Sequence, residues 1–97
     1  MATVVCPDVF VSHDEKDENL LIDVFLPGAE KETIRLSFTK SGFCVEARDE
    51  NRDITYFGCF TLAHEVFPDK AKAKFENGVL RITVPFKKEE TFEIKVE

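Results

Sequence analysis

Tryptophan is absent from this chain, tyrosine occurs once, and ten phenylalanines supply nearly all of its aromatic content. Phenylalanine brings apolar area without a hydrogen-bonding handle, so the material is there for a dry core or for apolar patches. Cysteine is sparse and odd in number: Cys6, Cys44 and Cys59 are scattered, and no CxxC pair occurs. That argues against a structural zinc site and against a disulfide-stapled secreted scaffold. Cys44 and Cys59 fall in strand-like segments and are expected as small core residues, not reactive thiols. His13 and His64 are the only histidines. Neither has a partner at metal-ligand spacing beyond the weak Cys59–His64 hint, and both are expected near strand ends on the surface.

Positive charge is also short, 13 basic residues against 19 acidic ones for a net charge of −6. With no basic run interleaved with aromatics, a nucleic-acid partner is excluded. No apolar stretch approaches the ~18 residues of a membrane span, so no membrane partner is expected. The N-terminal "MATVVCPDVF" lacks the basic region and long apolar run of a signal peptide. These absences together predict a soluble protein of a reducing compartment, the cytoplasm.

Catalytic signatures are missing as well. There is no GxSxG elbow, no GxxxxGK(S/T) loop and no GxGxxG fingerprint. Ser12, His13 and Asp14 have the residue types of a triad, yet neighbours along a strand point to opposite faces and cannot act on one another. The acidic runs "HDEKDE" and "ARDENRD" are most simply solvated loops. No catalytic residue, metal site or cofactor is expected, and the chain is not read as an enzyme.

What is present is alternation. At 97 residues, 43% hydrophobic and 33% charged, the chain has the size and composition of one globular domain. "DVFVSH" alternates weakly, and "HDEKDEN" is a loop. "LLIDVFLPG" reads as a strand covered on both faces and closed by Pro27-Gly28. Ile34, Leu36 and Phe38 share one face of the next strand, and Phe43, Val45 and Ala47 point inward on the one after it. "ITYFGCFTLAHEV" is a long strand region interrupted at Gly58. "PDKAKAKFENG" offers a helical rival too short to carry a stripe. In "FENGVLRITVP", Asn77-Gly78 supplies the positive φ of a tight turn, Leu80, Ile82 and Val84 alternate toward a core, and Pro85 ends the strand. Beyond it, Phe92, Ile94 and Val96 still alternate. Seven to eight short strands with regular turns predict an all-β fold, an immunoglobulin-like antiparallel β-sandwich.

"AKFENGVLRITVP" resembles the A-x-x-x-N-G-V-L signature of the α-crystallin domain of small heat-shock proteins, with Ala73, Asn77, Gly78, Val79 and Leu80 in place. The "LPG" of Leu26, Pro27 and Gly28 is similar to that domain's corner. The likeness spans roughly residues 7–86, with residues 1–6 a short N-terminal segment and 87–97 a C-terminal extension. Gly58 and Cys59 stand where the family's arginines usually fall, and "DENRD" leaves only a short connection. The chain thus resembles a minimal member without the family's long N-terminal arm. The resemblance implies an ATP-independent chaperone that binds unfolded client proteins and self-associates through strand edges or its tail. It implies a peptide-binding groove walled by Ile34, Leu36 and Phe38 on one strand and Lys74 or Phe75 near another. It also implies that Ile94 and Val96 form an I-x-V anchor for a neighbour's groove, unless they continue the same domain as a last strand. The alternative is a CS-domain-like co-chaperone or adaptor that docks on a folded chaperone partner.

Overall fold

The computed structural model describes residues 3–88 and 91–97. Eight strands run in order: β1 (Thr3–Val5), β2 (Asp8–His13), β3 (Asn19–Phe25), β4 (Arg35–Thr39), β5 (Gly42–Asp49), β6 (Ile54–Thr61), β7 (Lys72–Glu76) and β8 (Val79–Pro85). They form two four-stranded sheets, β1-β6-β5-β4 and β2-β3-β8-β7. Every neighbouring pair is antiparallel except β1 with β6, which is parallel. The predicted sandwich is therefore present, and it incorporates Thr3–Val5 as a strand.

Period-2 alternation explains which face each strand buries. On β3 and β8, Leu20 lies opposite Val84, Ile22 opposite Ile82 and Val24 opposite Leu80, and all six side chains are buried. From the other sheet Phe43, Val45, Ala47 and Tyr56 meet them. Two expectations fail here. β3 is not covered on both faces, because Leu21 and Phe25 alternate outward and stay exposed. β6 is not broken at Gly58: it runs through to Thr61, with Gly58 opposite Val45. A single glycine weakens a strand but does not end it when a neighbouring strand, here β5, supplies the ladder through it. The helical rival reduces to one 3-10 turn at Pro68–Lys70, after which β7 is extended.

The cysteines correct the sequence reading most plainly. Cys44 and Cys59 are opposite one another on β5 and β6 and are joined by a disulfide. They lie on the outer face of their sheet, Cys44 half-buried and Cys59 exposed, not in the core. Their neighbours Phe43, Val45, Gly58 and Phe60 take the inward positions, so parity alone forces both sulfurs outward.

One corner ties the two layers together. Gly28 and Gly78 both have φ of +79°. The amide of Leu26 donates to the carbonyl of Gly78 at 2.8 Å, so the Leu-Pro-Gly corner and the Asn77-Gly78 turn meet across 50 positions of sequence. The Pro27 carbonyl accepts hydrogen bonds from Tyr56 Oη at 2.6 Å and Arg52 Nη2 at 2.7 Å. Arg52 also donates through Nε to the carboxylate of Asp49, which is only 2% exposed. A Cβ on Gly28 would fall on that carboxylate. The hydrogen bond from Arg52 holds the Asp49 carboxyl below its ordinary range.

A depressed carboxyl pKa contributes stability above the unfolded-state value, about 3.9, and loses it as pH falls through the lower folded value. Asp49→Asn is expected to unfold at lower temperature than the parent at pH 7. Its Tm should change less than the parent's between pH 4 and pH 2, as read by circular dichroism melts. Gly28→Ala is expected to cost at least about 1–2 kcal/mol in urea titration, the usual cost of a left-handed L-residue.

Candidate functional site

Edge strands carry unpaired backbone donors and acceptors, so the site is built from the four edges β1, β4, β2 and β7. Cys6 and Pro7 alone separate β1 from β2, which places those two edges on the same side of the sandwich. β4 and β7 therefore share the opposite side. The start of β4 is fixed by the 3-10 turn at Lys31–Thr33, which is sewn to β5. Glu30 donates to the carbonyl of Arg48 at 2.9 Å, and the Arg48 amide donates to Thr33 Oγ1 at 2.9 Å. At the other end of β4, Leu62 and Val66 donate to the carbonyls of Ser41 and Lys40, each at 2.8 Å, as the chain crosses toward the second sheet.

Ile34, Leu36 and Phe38 are half-buried and lie against the core along β4, as their alternation predicts. Phe38 stacks on Phe43 with ring centroids 5.3 Å apart, and Phe43 stacks on Phe60 at 5.1 Å. On β7, Ala73 and Phe75 lie opposite the buried Ile82 and Leu80, and Phe75 packs against the core. Lys74 takes the other parity. It is exposed on the outer face, opposite Arg81, with Nζ 3.1 Å from Glu76. Ile34, Leu36, Phe38 and Phe75 thus take the core-facing parity of the two edge strands, and Lys74 does not.

The tail lies apart from both sheets. Residues 91–97 have no regular structure, and Phe92, Ile94 and Val96 are 76%, 77% and 90% exposed. They do not extend the domain as a further strand. On the outer face of β2 and β3, Phe10, Leu21 and Phe25 form diagonal neighbours around Asp23, all three exposed.

His13 is exposed at the end of β2, as expected, while His64 is half-buried. His13 and His64 have ring centroids 5.5 Å apart, and both lean on Phe86. His13 Nδ1 lies 3.3 Å from Asp17, not from Asp14. Asp14 instead organises the acidic loop, accepting from the amides of Glu18 and Asn19 and from the Asn19 side chain. These bonds, led by that from the Asn19 side chain, lower its pKa. Among the described residues no group of three or more potential ligands is placed to hold a metal. What the arrangement offers is open strand edges and exposed apolar side chains.

The comparisons with known proteins agree with that geometry. The family model of the CS domain matches residues 10–96. A protein named as a probable 15 kDa heat shock protein, from Leptospira interrogans, is 30% identical over 105 residues, covering 96% of this chain and 79% of that protein. The chain belongs to the small heat-shock protein family, within the wider CS-domain fold. It is thus a member of a chaperone family.

Solved structures agree on the fold. Heat shock protein 16.0 from Schizosaccharomyces pombe superposes with a TM-score of 0.69 at 19% identity, covering 96% of this chain and 99% of that one. A mutant of hsp14.1 from Sulfolobus solfatataricus gives 0.75 at 20% identity, covering 94% and 80%. A small heat-shock protein from Xylella fastidiosa gives 0.69 at 19% identity, covering 96% and 97%.

Because Phe92, Ile94 and Val96 are exposed, removal of residues 92–97 is expected to leave the thermal unfolding of the sandwich within about 4 °C of the parent. A scanning-calorimetry drop well beyond that would show that the tail contributes to the core.

Proposed function

We propose that the protein is an ATP-independent holdase that captures exposed apolar segments of unfolding proteins and keeps them from aggregating. The observation that carries this is that β4 and β7 are edges of two different sheets, with Ile34, Leu36 and Phe38 along one and Phe75 on the other half-buried against the core. An extended apolar segment can add to such an edge through main-chain hydrogen bonds, while alternate side chains settle against the apolar row. Holding the unfolded species removes it from aggregation by mass action, with no nucleotide required. Ile94 and Val96 fit the same margin on a second copy, so self-association and client capture would compete for one surface. The cytoplasm is the compartment this reading assigns.

The CS-domain match over residues 10–96 keeps a second reading open, that of an adaptor docking on a folded chaperone. Its surface would be the exposed Phe10, Leu21 and Phe25 on the outer face of β2 and β3.

Right-angle scattering of a heat-labile client separates the two. Near-stoichiometric protein is expected to suppress the scattering; continued client aggregation at several-fold excess would overturn the holdase reading. A monomer without such protection that forms a stable complex with a folded chaperone would establish the adaptor. In multi-angle light scattering, Ile94→Ala with Val96→Ala is expected to lower the mass of any assembly without unfolding the domain.

A further inference from the structure

The disulfide stands beside a weak point in the sheet. Cys44 and Cys59 are directly opposed across β5 and β6, with Cα atoms 4.1 Å apart. In the next row along, Val45 faces Gly58, whose side-chain position is filled by the ring of Phe60 and by Cys6 Sγ, so that Phe60 is what covers it. Glycine inside a strand weakens the pairing through its entropy and its missing side chain. In the row on the other side lie Phe43 and Phe60, members of the aromatic stack that ends on Phe38 of β4. The covalent link therefore holds β6 to β5 between the glycine and the stacked rings.

We propose that Cys44 and Cys59 form a reversible redox switch, whose reduction loosens β6 beyond Gly58 and uncovers the Phe38–Phe43–Phe60 row. Cys59 is exposed while Cys44 is half-buried, so an incoming thiolate reaches Sγ of Cys59. With a small dithiol as reductant, one of its sulfurs bonds to Cys59, and the S–S bond breaks with its electron pair leaving on Cys44. The second sulfur of the dithiol then displaces Cys59. Both cysteines end as thiols, and the dithiol leaves as a cyclic disulfide. Disulfides that persist inside cells are more often transient and sensing than structural, which is the behaviour an accessible pair of this kind allows.

The test uses the whole chain with Cys6→Ser, which removes the exposed free thiol on the β1–β2 connection. Protein purified without reductant should show no titratable thiol under denaturing conditions, and two after treatment with a phosphine. Closing a loop of this length is worth a Tm shift of roughly 10 °C, so Tm should fall by about that much on reduction. Fluorescence of an apolar dye should rise at temperatures below the transition. Two free thiols before reduction, or an unchanged Tm, would overturn the proposal. A lower Tm with no gain in dye binding would leave the pair a fixed staple and sink the switch. The chain with Cys44→Ser and Cys59→Ser, otherwise intact, must be indifferent to the phosphine; a response there would place the effect elsewhere and equally overturn the assignment.

Discussion

The carbonyl of Pro27 accepts two hydrogen bonds, from Tyr56 on β6 and from Arg52 in the turn between β5 and β6, and this small node ties the two layers together. It forms only because Gly28 has a positive φ and no side chain, which lets the backbone lie against the Asp49 carboxylate. Asp49 is buried, so its charge must be met in place; Arg52, three residues on, meets it and reaches Pro27 with the same guanidinium. Leu26, next to that proline, is fully buried and hydrogen-bonded to Gly78, which commits the second glycine turn to the same corner. A change at any one of these residues therefore reaches the others.

The strands were legible because their information is local. Leu80, Ile82 and Val84 announce their face by parity alone, and so do Phe43, Val45 and Ala47. Asn77-Gly78 specifies its own turn, with Asn77 at a φ of +51° and Gly78 at +79°. The covering of the outer faces was not local. The apolar residues of "LLIDVF" suggest burial on both sides, but among the described residues none covers Leu21 and Phe25, which stay exposed. The two histidines met around Phe86 because the crossover after β6 returns to the β8 end, which no short window of sequence encodes.

The disulfide was legible in principle. The short connection "DENRD" is visible in the sequence, and its centre fixes the register of the hairpin: Asp49 pairs with Ile54, Arg48 with Thr55, and counting outward brings Cys44 opposite Cys59. Scattered spacing along the chain had hidden a symmetric spacing about a turn. The expectation that Cys44 and Cys59 are small core residues failed for the same reason, since strand-like segments taken singly say nothing about register. Cys6, on the connection between β1 and β2, is the odd one and stays free.

Parity also governs which side chains are available for function. Of the two β7 residues assigned to a groove wall, Phe75 has the inward parity and Lys74 the outward, so only an apolar side chain faces the margin beside β4. A charge there would have to be desolvated by every segment that docked, at a cost that a mixed population of apolar segments could not meet. Lys74 instead joins Lys72 and Arg81 on the outer face, where positive charge blunts the β7 edge against indiscriminate pairing. The edge thus keeps its main-chain donors and acceptors while its solvent face stays wet. On the proposed function, discrimination would come from the inner row: a segment would have to bring apolar side chains at every second position, the alternation that Phe92, Ile94 and Val96 themselves carry.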